Sequence, residues 1–162
     1  MRVSPRLVAA VGAVAAGIIT ATIPVLEGQR LTPYRDIVGV WTVCAGVTGP
    51  AVIPGRTYTQ DECDALNSIA AADHAEPIAK CLPHDATPGQ KAAAVLLGYN
   101  VGVSKACGST FVRRLHSHDP RACEAIEWFR MVGKKDCSIA ANKCGGIIKA
   151  RALERQICES RQ

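Results

Sequence analysis

The apolar positions of the chain open with a run of twenty residues, Leu7 to Leu26, that carries no charge. As one helix such a run is about 30 Å long, the thickness of a bilayer core. Ala, Gly, Thr and Pro24 fill most of it, with Leu7, Ile18, Ile19, Ile23, Leu26 and scattered Val supplying the hydrophobic weight, so it predicts a marginal membrane helix. No polar face recurs at 3.6-residue spacing, which argues against an amphipathic core helix. From Glu27 to Tyr58, Gly and Pro recur around the β-branched and aromatic run Val38 to Cys44, predicting short antiparallel strands joined by turns. Thr59-Gln60-Asp61-Glu62 has the form of a capping box, and Cys63, Leu66 and Ile69 continue it at helical spacing. Thr87-Pro88-Gly89-Gln90 opens a second helix through Val95, Leu96 and Tyr99. Asp119-Pro120 predicts a third with Cys123, Ile126 and Phe129, and Ile147, Ala150, Leu153 and Ile157 mark a last one. A small sheet followed by helices is the α+β class.

Two cations change the reading of the first segment. Arg2 and Arg6 lie on the N-terminal side of the apolar run, which predicts an N-in orientation with residues 27 to 162 delivered outside the cytoplasm. A cleaved signal peptide, a permanent anchor and a weak anchor that later leaves the bilayer all remain open. The small-x-small site Ala13-Val14-Ala15 leaves a very short apolar region, and Ile19-Thr20-Ala21 is a weaker cleavage site. A permanent anchor is normally richer in Leu, Ile and Phe, so residues 1–26 fit a releasable signal-anchor best, and 27–162 form the one remaining domain. Eight cysteines point to the same compartment: Cys44, Cys63, Cys81, Cys107, Cys123, Cys137, Cys144 and Cys158 are even in number. The shortest gap is seven residues, Cys137 to Cys144, too wide for the close ligand pairs of structural zinc, so disulfides in an oxidising compartment are expected. Net charge is +5, a mild bias toward any polyanion that chooses none. Aromatic residues are 4% of the chain, which argues against a single-stranded nucleic-acid platform.

Candidate chemistry lies between Glu27 and Thr42. Glu27 and Asp36 stand nine residues apart across a segment containing Gly28 and Pro33, so a chain that turns back can set both carboxylates on one cleft. Most glycosidases use such a pair, one carboxyl protonated to meet the leaving oxygen and one ionised. Glu27 follows the apolar Pro24-Val25-Leu26, a flank that favours its protonated form, whereas Asp36 follows Arg35, which favours charge. Acidic pairs at this separation are also common on solvated surfaces, and spacing by itself does not decide between the two.

The surrounding text does. Glu27-Gly28, Pro33-Tyr34-Arg35-Asp36, Gly39-Val40-Trp41-Thr42, Gly46 and Thr48-Gly49 together resemble the phage-type lysozymes, glycoside hydrolase family 24, whose pattern is Glu, eight residues, Asp or Cys, five residues, Thr. Further likeness runs through Tyr99-Asn100-Val101-Gly102, Ser109-Thr110-Phe111, Arg113-Arg114-Leu115, Trp128, Gly145-Gly146-Ile147, Arg151, Glu154 and Cys158, most of residues 27 to 158. The resemblance implies a lysozyme-like fold with a small β lobe and a mainly helical lobe. It implies that Glu27 is the general acid, that Asp36 assists the attacking water or stabilises developing positive charge, and that Thr42 positions that water. The T-even phage enzyme of this family inverts configuration, which implies carboxylates roughly 6.5–9.5 Å apart. The N-terminus sharpens the likeness to signal-anchor-release endolysins of temperate phages, exported into the inner membrane, held inactive and freed to the periplasm at lysis. Some of that subgroup carry a trigger cysteine in the anchor, and residues 1 to 26 carry none.

The implied activity is hydrolysis of the β-1,4 bond between N-acetylmuramic acid and N-acetylglucosamine, by a monomer without metal or cofactor, on peptidoglycan glycan strands and with no nucleic acid partner. A lytic transglycosylase is the alternative within enzymes, opposed by intact Asp36 and Thr42; a decayed, membrane-anchored glycan-binding protein is the alternative outside them. Two departures bear on this choice: Val47 stands where the family often has His, and Ala150-Arg151 where it has paired Arg. Tyr99 and Asn100 are weaker substrate-binding candidates, equally readable as core and cap residues. His74, His84, His116 and His118 show no ligand spacing and read as surface residues. Eight cysteines allow about a hundred pairings. Cys137 with Cys144 closes the easiest loop; the resemblance suggests Cys81 with Cys107 and Cys123 with Cys158, leaving Cys44 with Cys63.

Overall fold

A computed structural model describes residues 3–36 and 39–160; Arg2, and Val38 of the predicted strand, lie outside the described residues. The chain divides into two units, Met1–Glu76 and Pro77–Gln162.

The first unit begins with two helices, α1 (Pro5–Val11) and α2 (Ala13–Glu27), where the apolar pattern predicts one. Gly12, at φ +87°, lies between them, and their axes are bent by 119°. Among the described residues no single helix is long and apolar enough to cross a membrane. Leu7 and Val11 of α1 and Ala15, Ala16, Ile19 and Ile23 of α2 are buried. In this fold the segment therefore does supply core helices, against the sequence expectation. Its Ala and Gly positions are small enough for one face to pack closely, while Val14 and Val25 remain exposed, so no polar face is required. Arg6 ties α1 to the helix α3 (Gln60–Cys81), its Nε donating to Glu76 at 2.9 Å and its second guanidinium nitrogen to Asp73 at 3.0 Å.

Strands β1 (Arg30–Arg35), β2 (Trp41–Cys44) and β3 (Val47–Thr48) form an antiparallel sheet in that order. Tyr34 pairs with Thr42 and Arg35 with Trp41, and the register shifts between Arg30 and Tyr34. Val43, Cys44, Val47, Val52, Tyr58 and Cys63 make a buried cluster, with Trp41, Leu66 and Ala70 packed against it. Tyr58 serves it twice over: its ring is buried, and its hydroxyl donates to the Ala51 carbonyl at 2.6 Å while accepting from the Ile53 amide. Thr59 and Glu62 satisfy each other's backbone amides at the start of α3, at 3.2 and 2.8 Å, as the capping-box sequence predicts.

In the second unit α4 (Pro88–Val101) is buried continuously from Ala92 to Gly98, and Thr87 and Gln90 form its capping box. It packs with α7 (Gly145–Glu159), whose end comes so close that a Cβ on Gly89 would stand 2.4 Å from the Ile157 carbonyl oxygen. Short helices α5 (Val103–Cys107) and α6 (Thr110–His116) follow α4, the latter capped by Ser109. The helix expected from Asp119 is corrected: the Asp119 side chain captures the Arg121 amide at 2.8 Å, a local turn that competes with helix, and only a six-residue 3-10 turn, Cys123–Trp128, forms. A hairpin of β4 (Met131–Val132) and β5 (Lys135–Asp136), for which the apolar pattern has no signal, completes the unit. The cysteines pair 44–63, 81–107, 123–158 and 137–144.

Candidate active site

Glu27 is the last residue of α2 and is exposed. Gly28, at φ +71°, ends the helix in a conformation that side chains rarely adopt, and the chain enters β1 two residues later. Asp36 follows the last residue of β1. Its amide donates to the Val40 carbonyl at 3.0 Å, and its Oδ1 accepts from the Val40 amide at 2.8 Å. Thr42, buried on the central strand, donates its hydroxyl to that same Val40 carbonyl at 3.1 Å. Asp36 and Thr42 are thus joined through one backbone group at the mouth of the β1–β2 hairpin, and Val40 is a hub that residue-type reasoning had no means of singling out. The Arg35 guanidinium lies 4.8 Å from the centre of the Trp41 ring and donates to the Gly39 carbonyl at 2.8 Å, bracing the same hairpin.

A second residue missed from sequence is Asn67. It is fully buried in α3, its Oδ1 accepting from the Ala45 amide at 3.0 Å and its Nδ2 reaching Gln29 Oε1 at 3.4 Å. Gln29 follows Glu27 by two residues and Ala45 follows β2, so one buried amide ties the exit of α2 to the end of the central strand. The available signal was an Asn within the apolar run of a helix, a position its propensity disfavours.

Tyr99 and Asn100 stand at the end of α4 in the second unit, Tyr99 half-buried and Asn100 exposed at its tip. Asn100 Oδ1 accepts from Arg151 at 2.9 Å, and Arg151 pairs with Glu154 at 3.0 Å, both of that pair buried on α7. One arginine of the expected pair is therefore present and held, with Ala150 beside it only partly buried. Val47 is 6% exposed within the sheet's apolar cluster, where the imidazole expected at that place gives way to packing.

The phage lysozyme family model matches residues 25–154. The chain belongs to the phage lysozyme family. The match begins two residues before Glu27, takes in Asp36, Thr42, Tyr99, Asn100 and Arg151, and ends on Glu154. As a phage lysozyme the chain is a glycosidase with peptidoglycan as its substrate. The SAR-endolysin of Escherichia phage 933W is 38% identical over 150 residues, which are 90% of this chain and 85% of that protein. Among solved structures, the endolysin from Escherichia coli O157:H7 phage FAHEc1 superposes with a TM-score of 0.77 at 21% identity, over 100% of this chain and 96% of that one. A variant of P22 lysozyme superposes with a TM-score of 0.73 at 24% identity, over 99% of both chains. These two likenesses establish the lysozyme-like fold.

Proposed function

We propose that this phage lysozyme is an endolysin that hydrolyses the β-1,4 bond between N-acetylmuramic acid and N-acetylglucosamine for host-cell lysis, with Glu27, Asp36 and Thr42 as its catalytic residues. What carries the reading is the coincidence of family membership with the Glu-x8-Asp-x5-Thr spacing and the shared Val40 carbonyl that joins Asp36 and Thr42. Glu27 donates its proton to the glycosidic oxygen as the bond from the muramic C1 breaks. Asp36 takes a proton from the attacking water, which Thr42 orients, and the hydroxyl adds to C1 on the opposite face. The products are a reducing muramic end and a free 4-hydroxyl. Tyr99 and Asn100 contact the glycan in the same reading. The enzyme acts as a monomer, on glycan strands, with no nucleic acid partner.

Residues 1–26 serve in this proposal as the releasable signal-anchor, holding the enzyme in the inner membrane facing the periplasm before its release. Support comes from the relatives being SAR-endolysins and from the physical character of the segment. It is apolar enough to sit in lipid as a straight helix, and Gly12 lets the same residues bend into two core helices. Exchange of lipid contacts for protein contacts then costs little, because Ala-rich surface gains only modestly from either.

The test uses the full chain, since α1 and α2 are part of the core. Soluble muropeptides released from purified peptidoglycan are compared for the native protein and Glu27→Gln. Reducing muramic ends that Glu27→Gln abolishes are the expected result; anhydromuramic ends would instead mean a transglycosylase, and no release from folded protein would sink the enzymatic reading. Fractionation of expressing cells before and after membrane depolarisation tests the anchor. The chain is expected in the membrane fraction first and the soluble fraction afterwards, and a soluble chain throughout would refute release.

A further inference from the structure

The second unit carries 14 Lys and Arg against seven Asp and Glu, so the positive charge of the chain resides there. Part of it is concentrated on one short element. The β4–β5 hairpin turns at Gly133-Lys134, with Gly133 at φ +58°, and places Arg130, Lys134, Lys135 and, beyond it, Lys143 at the surface, all four exposed. Its one acid, Asp136, is engaged internally: it pairs with Arg130 at 3.1 Å and accepts from the Ser138 amide and hydroxyl at 2.9 and 2.7 Å. The same few residues expose large apolar side chains, Trp128 at 56%, Met131 at 53%, Val132 at 38% and Ile139 at 54%.

A two-stranded hairpin this short is not stable by itself in water. Here it is fastened at its base by the Cys137–Cys144 disulfide, by the Cys137 amide donating to the Arg130 carbonyl at 2.9 Å, and by Asn142 Nδ2 donating to the Asp136 carbonyl at 2.8 Å. The fold thus spends covalent and hydrogen-bonded bracing on holding apolar side chains out of its core, which marks an interaction surface. The chemistry of the side chains selects the partner. Sugars are gripped by flat, open aromatic rings, yet Met, Val and Ile predominate here and the Trp128 ring has the Arg114 guanidinium 4.9 Å from its centre. Aliphatic side chains interleaved with Lys and Arg match a lipid surface with anionic headgroups, where the cations meet phosphate and the apolar groups enter the acyl boundary.

We propose that the braced hairpin, residues 128–144, is a docking surface for anionic phospholipid bilayers. It does not depend on the role of Glu27, and it supplies a second, reversible membrane contact that persists when the N-terminal segment is folded into the first unit.

The full, oxidised chain is assayed by co-sedimentation with vesicles of phosphatidylglycerol and, in parallel, of phosphatidylcholine. The N-terminal segment contributes equally to every variant, so the hairpin is read by difference. Lys134→Gln with Lys135→Gln is expected to weaken binding to phosphatidylglycerol about 25-fold, at roughly fivefold per basic residue, and to leave phosphatidylcholine binding unchanged. Met131→Ser with Ile139→Ser is expected to weaken both. Lys91→Gln with Lys105→Gln, the same charge change elsewhere on the unit, is expected to have a much smaller effect. Equal losses from the two lysine pairs would mean diffuse attraction by net charge and would overturn the proposal, as would native binding by both hairpin variants. Muropeptide release is expected unchanged in the hairpin variants; its loss with lipid binding intact would show that the hairpin serves the glycan instead.

Discussion

Replacing Glu154 by Gln removes one charge from a pair with almost no access to water. Arg151 is 1% and Glu154 0% exposed, and their closest nitrogen and oxygen stand 3.0 Å apart, three residues along α7. The attraction within such a pair largely offsets the cost of taking both ions from water, so the intact pair contributes little net stability. Breaking a buried pair by removing one partner costs about 3–5 kcal/mol. Gln preserves shape and one acceptor, which places the expected loss toward the lower end, about 3 kcal/mol. Against a total of about 5–15 kcal/mol that is a large fraction of the stability. At about 2–4 °C per kcal/mol for a chain of this size, Tm falls by about 10 °C. Urea unfolding of the oxidised protein, followed by far-UV circular dichroism, measures the free energy and a thermal scan the Tm. The companion variant Arg151→Met with Glu154→Leu removes both charges and fills similar volume, and it is expected to recover most of the loss. A Glu154→Gln loss below about 1 kcal/mol, or a double variant no more stable than the single one, would refute the argument from buried charge.

Other expectations follow from packing, titration and cross-linking. Gly89→Ala sets a Cβ 2.4 Å from the Ile157 carbonyl oxygen, and because backbone has to yield, urea unfolding should report a loss of about 1–3 kcal/mol; native stability would show that α4 and α7 separate freely. The Thr59 amide above all holds the Glu62 carboxyl below its usual range, the Arg121 amide does so for Asp119, and the Ser138 hydroxyl for Asp136. Depressed carboxylates contribute stability above their unfolded pKa and lose it as pH falls through the folded one, so Tm should drop below about pH 4, and less steeply in Glu62→Gln. An equally steep fall in Glu62→Gln would remove Glu62 from that account. Opening the Cys123–Cys158 cross-link by Ala substitution, across a separation of 35 residues, should cost about 4 kcal/mol by chain entropy, against about 2 kcal/mol for the seven-residue Cys137–Cys144 loop. Calorimetry that ranked the two in reverse would argue against loop closure as the origin.

Elements whose signals are local were legible in the residues. The capping boxes at Thr59 and Thr87 mark the starts of α3 and α4 because both partners of each box lie within four residues. The strands between Glu27 and Tyr58 follow from β-branched residues between turn-formers, and α7 from its 3.6-residue apolar spacing. The Asp119 segment reads as a helix start yet forms a turn, since a capping side chain can take a nearby amide without any helix following. The hairpin at Met131 escaped notice because two-residue strands carry no period.

At the site, residue types and spacing marked Glu27 and Asp36 as a carboxylate pair, and the resemblance to the phage-type lysozymes, whose ordered pattern survives in one dimension, added Thr42 and singled the three out as candidates. The cysteine count likewise determined that full pairing was possible, and the charge distribution that the first apolar run faced a membrane question. Tertiary structure decided what those residues are attached to. It made Val40 the shared partner of Asp36 and Thr42, buried Asn67 between the exit of α2 and the end of β2, and enclosed Arg151 with Glu154 and Asn100. It also set residues 5–27 as two helices bent at Gly12 with buried apolar faces. The division has one physical cause. Propensity, capping and period act within a few residues and are written along the chain, whereas burial and the satisfaction of buried polar groups depend on which distant segments come to lie together.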